Sequence, residues 1–216
     1  MARIILIRHG ETDWSRDARW QGHSDVPLNA HGFAQAEALA APLAKQGPTH
    51  LVASDLARTR QTLQPLADLL GLPIVQDPDL REIDVGSWSG LSHDEAVARD
   101  PIGAARHDAG GTGWSDGETY EQVADRGVRA LYRHTDALSA SSLVIVVAHG
   151  GLSGAVTGRL LGLTSKAQRQ QLGRVSHAHA TYLRRHELDG ETIWRMLAYN
   201  TPLLEGAGPP IELTIH

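Results

Sequence analysis

His9 and His149 each stand beside a glycine, and each lies at or just past the end of an apolar run of the kind that forms a buried strand. The runs are residues 4–7, ahead of Arg8-His9-Gly10, and residues 143–147, ahead of His149-Gly150-Gly151. Arg58 falls in a charged stretch just after a third short apolar run, residues 50–53, and Glu82 sits in a loop of its own. Arginines present forked donors that match phosphate oxygens. A neutral imidazole held against bound phosphate can attack phosphorus and become a phosphohistidine. A carboxyl group that holds a proton can donate it to a departing alkoxide. Phosphoryl transfer depends mostly on positioning and on neutralising the equatorial oxygens, which two arginines and a second histidine can do without a metal. The helix expected after Gly150-Gly151 adds unpaired backbone N–H groups and a positive dipole end, an anion site. Arg8, His9, Arg58, Glu82 and His149 therefore make a full set for phosphoryl transfer, provided the fold brings them together.

Strand and helix signals alternate along the chain. Strands are expected at residues 4–7, 50–53, 74–75 and 143–147, the last being the most apolar run and hence a central strand. Helices are expected at 30–46, 56–70, 118–138 and 151–161, with Pro42 and Pro65 expected to kink or break the first two. Residues 92–117 read as a short helix followed by a glycine-rich stretch, an insertion that would form a lid or pocket rim. Residues 180–188 and 191–199 flank Asp189-Gly190, a two-residue hairpin signal. The tail from Pro202 is expected to wrap the surface or fray. The pattern is that of an α/β protein in three α/β/α layers, with a mostly parallel central sheet and an antiparallel edge, expected as one domain over residues 1–216. In such a sheet ligands bind beyond the carboxyl ends of the strands, where the histidines and Arg58 stand.

Composition narrows the partners. Hydrophobic residues make up 41% of the 216 residues, enough for a sizeable core without staples. The formal net charge is −5 and no run of Lys or Arg appears, which argues against nucleic acid and an anionic membrane surface as partners. There is no cysteine, so disulfides, thiolate zinc sites and thiol catalysis are excluded. The four-residue apolar stretch near the start is far short of a signal-peptide core of about 7–15 residues. A soluble, cytoplasmic protein is the expectation.

Residues 7–12, Ile-Arg-His-Gly-Glu-Thr, resemble the signature opening of the histidine phosphatase superfamily, the phosphoglycerate mutase-like proteins. Four further segments resemble that family in order and spacing. They are Gln21-Gly22 with Pro27-Leu28-Asn29 and Gly32, residues 54–62 around Arg58, Leu80-Arg81-Glu82-Ile83 with residues 86–90, and residues 146–151 around His149. The resemblance covers about residues 3–200. It implies His9 as nucleophile, Arg8, Arg58 and His149 as groups that bind the transferring phosphoryl group, and Glu82 as general acid and later base. It also implies phosphate or substrate contacts from Ser15, Gln21, Gly22 and Gly150, no metal, no cofactor, a small phosphorylated metabolite as partner, and a homodimer as an allowed assembly. Two positions depart from the family pattern. Ser15 stands where Asn is common, and His177 and His179 stand where relatives often show Asn and Ser, a segment read as lining the substrate mouth.

Taken singly, each of these residues has a plainer reading. A lone histidine is more often a hydrogen-bonded structural one, a lone Arg58 a solvated helix residue like its neighbour Arg60, and a lone Glu82 a surface partner of Arg81. The His177-x-His179 spacing suits a metal, but no carboxylate or cysteine stands at matching spacing. Trp14, Trp20 and Trp88 either line the pocket or simply pack. His93, His107 and His134 read as solvated, and Trp114 and Arg106 as candidate substrate contacts. Three functions remain open: a hydrolase, a phosphoglycerate mutase, and a non-catalytic phosphate-binding module. The full chemical set disfavours the last. Glu82 continues into Ile83-Asp84-Val85-Gly86-Ser87-Trp88-Ser89-Gly90, the phosphatase-type pattern, rather than the Arg-His-Tyr-Gly-like run of the mutases. The substrate is left between a sugar phosphoglycerate and a broad range of metabolites.

Overall fold

The computed structural model describes residues 2–203. Of the tail expected from Pro202, residues 204–216 lie outside the described residues. Six strands form one sheet in the order β3-β2-β4-β1-β5-β6. β1 (Arg3–Arg8), β2 (His50–Ala53), β3 (Ile74–Gln76) and β4 (Leu143–Ala148) are parallel, and the hairpin β5 (His179–Leu188) and β6 (Glu191–Pro202) closes one edge antiparallel to β1. β4 is central and buried at all six positions.

Alternation along the strands builds the layers. Ile5, Ile7, Leu51, Ala53, Ile145 and Val147 face α2 (Ala30–Ala44) and α3 (Ala57–Leu70). Ile4, Leu6, Val52, Val144, Val146 and Ala148 face the opposite way, toward α6 (Tyr120–Arg133) and α7 (Gly150–Leu160). Each fully buried aliphatic side chain contributes about 1.5–3 kcal/mol, so a sheet covered on both faces needs no staple. Both prolines lie inside unbroken helices, contrary to expectation. Leu39 and Leu43 of α2, and Leu63 and Leu66 of α3, are buried around them, and that packing outweighs the one backbone bond each proline removes.

Four further helices were illegible or vague in the sequence: α1 (Asp13–Arg16), α4 (His93–Arg99), α5 (Pro101–Asp108) and α8 (Ser165–Gln171). α6 is shorter than expected. Thr119 caps it in a reciprocal box with Gln122, leaving Glu118 outside. Among the described residues no helix is long and apolar enough to cross a membrane.

Candidate active site

β1 and β4 run side by side with Arg8 opposite Ala148, and His9 N donates to Ala148 O at 3.0 Å. The next residue of each strand, His9 and His149, therefore emerges at the same level, with ring centroids 5.3 Å apart. Both rings are buried. His9 Nδ1 lies 2.6 Å from Gly10 O. A carbonyl can only accept, so Nδ1 carries the hydrogen and the Nε2 lone pair is left for attack.

Arg58 comes from the first turn of α3, whose start is held by Asp25 accepting from Ala57 N at 2.6 Å. Its guanidinium is buried and reaches across the strand ends. Nη1 donates to Ser24 O at 2.7 Å, Nη2 to Gly22 O at 3.0 Å and Nε to His149 Nδ1 at 3.2 Å. Because arginine only donates, the last bond fixes His149 with its hydrogen on Nε2. Among the described residues that Nε2–H is buried without a partner, as is Arg8 Nε. An orphaned buried donor costs about 1–3 kcal/mol. Two of them beside an imidazole with a free lone pair make a site awaiting an anion.

Charge and burial act together on the imidazoles. Desolvation first, then the Arg58 and Arg8 charges, hold His9 well below the usual histidine range. Desolvation and Arg58 do the same to His149. The arginines themselves are lowered only to about 10 by burial and stay charged at neutral pH. His9 is consequently neutral well below pH 6.5. With p-nitrophenyl phosphate, kcat/KM should stay level as pH falls from about 6.5 to about 5. A fall with a midpoint near 6.5 would mean that an ordinary, exposed imidazole is the nucleophile.

Glu82 is placed differently from a free acid. Its Oε1 accepts from Ile83 N at 3.0 Å and Leu152 N at 2.9 Å, and its Oε2 accepts from Gly151 N at 3.0 Å. The carboxyl group thus caps α7, whose free N–H groups had been expected to serve as an anion site. A Cβ at 151 would stand 2.6 Å from Glu82 Oε1 and displace the carboxyl group from α7. The backbone of residues 79–82 hangs on Arg126, which donates to the carbonyls of Asp79, Arg81 and Glu82 at 2.7–2.8 Å and to both oxygens of Glu118. His23 Nε2 lies 2.9 Å from Glu82 O. Sequence reasoning missed these three residues. The signal for Arg126 was present, a charged residue on the buried stripe of α6 with Val123, Gly127 and Ala130.

The remaining candidates divide. Gly22 contributes its carbonyl to Arg58. Ser15 Oγ accepts from Thr12 N at 2.9 Å within the cap of α1, and Gln21 Oε1 accepts from Thr12 Oγ1 at 3.1 Å, so both side chains brace the loop. His177, from the segment before β5, brings its ring within 5.7 Å of His9. Arg60 is only half-exposed, and its Nε is buried without a partner. Trp114 is not available to a ligand. It is buried, its Nε1 donates to Glu118 O at 2.8 Å, and it packs with Trp20, Trp88 and His107. His107 is therefore an aromatic-cluster residue rather than a solvated one. His134 is half-buried, with Nε2 2.8 Å from Asp77. Arg106 donates to Gly113 O at 2.8 Å and serves the 92–117 segment. Among the described residues no group of three or more His, Cys, Asp or Glu side chains could hold a metal ion.

Comparison with known proteins decides the family. Residues 4–201 match the histidine phosphatase superfamily (branch 1). The chain belongs to that superfamily. It is 39% identical over 171 residues to a glucosyl-3-phosphoglycerate phosphatase of Mycolicibacterium vanbaalenii, a match covering 74% of this chain and 75% of that one. It is 37% identical over 173 residues to an Enterobacter protein named "Probable phosphoglycerate mutase GpmB", covering 79% and 80%. A mycobacterial glucosyl-3-phosphoglycerate phosphatase solved with VO3 superposes with a TM-score of 0.81 at 33% identity, over 92% of this chain and 98% of that one. This histidine phosphatase is a phosphoric monoester hydrolase acting on small phosphorylated substrates, and the mutase alternative is not favoured.

Proposed function

We propose that the enzyme hydrolyses small phosphomonoesters in two steps through a phosphohistidine on His9, without a metal. The observation that carries this reading is the buried, neutral His9 with its hydrogen held on Nδ1, facing the unpartnered donors Arg8 Nε and His149 Nε2. The substrate phosphoryl group lies among Arg8, Arg58 and His149. His9 Nε2 forms the N–P bond as the ester P–O bond breaks, and Glu82 gives its proton to the leaving oxygen. Water then attacks phosphorus, Glu82 takes a proton from it, the P–N bond breaks and phosphate departs. Glu82 Oε2 accepts one backbone bond against two at Oε1, which makes Oε2 the oxygen suited to carry the shuttling proton. Gly22 acts through Arg58, and Ser15 and Gln21 through the loop they brace. A direct Ser15 contact to phosphate would require its bond with Thr12 N to open. Gly150 lies against Arg8, with a built Cβ only 3.2 Å from Arg8 Nε, so glycine there lets the guanidinium lie over the start of α7.

The substrate we favour is a sugar phosphoglycerate, on the likeness to the mycobacterial phosphatases, within a range that extends to other metabolites. A cytoplasmic setting belongs to this reading, on the cysteine-free composition. The test is phosphate release from p-nitrophenyl phosphate, 3-phosphoglycerate and glucosyl-3-phosphoglycerate with EDTA present. Release from all three at unequal rates, fastest from the glucosyl ester, is the expected result. Loss of release in EDTA would end the metal-free mechanism. Interconversion of 2- and 3-phosphoglycerate without release would make the enzyme a mutase.

A further inference from the structure

Residues 173–179 form a strap across the site, and it is pinned at almost every position. Gly173 O accepts from Tyr199 Oη at 2.6 Å, Val175 O from Arg8 Nη1 at 2.7 Å, and Asn200 Oδ1 from Ser176 N at 2.7 Å. Ala178 N donates to Arg8 O at 3.0 Å, and His177 O lies 2.9 Å from His179 Nδ1. Ala178 takes φ +56°, the left-handed region that an alanine adopts only under constraint, and Asn200, a residue type that favours that region, takes φ +51°. The product of this constraint is the placement of one side chain. The His177 ring lies 5.7 Å from the His9 ring, and among the described residues its buried Nε2 has no hydrogen-bond partner. A strained backbone that delivers an unsatisfied polar atom to a site is costly twice over, and such features persist where a ligand completes them.

The donor inventory says which part of a ligand. A transferring phosphoryl group presents three non-bridging oxygens. Arg58 spends its Nε–H on His149 and one hydrogen of each Nη on a backbone carbonyl, leaving one further hydrogen on each Nη, and Gly151 N and Leu152 N are taken by Glu82. Ser15 and Gln21 are held by Thr12. Among the described residues, the buried side-chain nitrogens around His9 that make no hydrogen bond at all are Arg8 Nε, His149 Nε2 and His177 Nε2. We propose that His177 contacts the substrate through Nε2–H donated to a non-bridging phosphoryl oxygen, taking the place of a direct contact from the Ser15 loop. The inference rests on the phosphohistidine reading above. Burial and the Arg8 charge lower His177 to about 4, so at neutral pH the ring is neutral and the proposed contact calls for the tautomer with its hydrogen on Nε2.

The experiment compares the wild type with His177→Ala and His177→Gln. The Gln amide nitrogen can occupy the position of the histidine Nε2. Binding of inorganic phosphate and of orthovanadate is measured by calorimetry, which needs no turnover, beside kcat and KM for p-nitrophenyl phosphate and glucosyl-3-phosphoglycerate. The Ala variant should bind both anions about 10- to 100-fold more weakly. It should lose kcat/KM by a similar factor for both esters, with kcat falling because the contact tightens in the transition state, and Gln should restore most of both. Unchanged anion affinity in the Ala variant, or a loss confined to one ester, would overturn the proposal by moving His177 to the leaving group or out of the site. An Ala variant that fails to fold leaves the Gln variant to decide, since weak anion binding by folded Gln protein would equally overturn it. A wild type that binds phosphate but never turns over an ester would instead defeat the parent reading.

Discussion

His9→Ala should lower phosphate release by more than about 10⁴-fold on every ester, while the protein stays folded and still binds phosphate. The size of the effect follows from the geometry. On the proposed reading the donors to phosphate come from Arg8, Arg58, His149 and His177, none of which depends on the His9 ring, whereas the bond at His9 Nδ1 leaves the Nε2 lone pair of His9 for attack. His149 cannot substitute, because Arg58 Nε donates to its Nδ1 and its Nε2 carries the hydrogen. Rapid quenching of the wild type with a labelled ester should trap phosphate on protein in a form stable to alkali and labile to acid, as a phosphoramidate is. The variant should trap none. Normal turnover by the variant, or an acid-stable adduct in the wild type, would remove His9 from the nucleophile's role.

The strands and the ends of the strands were readable because their signals are local. β1, β2 and β4 are short apolar runs, and the chemical residues stand at or just past them in sequence, so parallel pairing alone brings His9, His149 and the start of α3 to one rim. What escaped is held by contacts with no sequence period. α8 is almost wholly polar and docks through Gln168, whose side chain lies so near Gly158 that a Cβ there would stand 2.3 Å from Gln168 Cγ. No hydrophobic repeat announces such a helix. His107 is equally silent, because a histidine in a polar stretch reads as solvated until α5 folds it against Trp20, Trp88 and Trp114. Arg126 looks like one more charge on an amphipathic helix, and only the third dimension shows it under three carbonyls of the Glu82 loop.

The position of Glu82 makes the second large effect specific. In Glu82→Gln the amide oxygen can keep the bonds from Ile83 N and Leu152 N, but the amide nitrogen then faces Gly151 N–H and that one bond is lost, so phosphate affinity should fall far less than turnover. The amide cannot deliver a proton to an alkoxide, nor take one from water. Loss of a general acid costs about 10²- to 10⁴-fold, and the two half-reactions will show it differently. An alkyl ester such as glucosyl-3-phosphoglycerate needs the acid to leave, so its first step should fall by that factor, with no phosphohistidine accumulating. p-Nitrophenolate leaves without help, so that ester should give a rapid burst of nitrophenol equal to the enzyme present. Slow release should follow, because the water that attacks the phosphohistidine has lost its base. Glu82 is thereby placed in both steps by one variant and two substrates. An equal slowing of the first step for both esters would assign Glu82 to phosphate binding or loop structure, and the proton would then have to come from solvent.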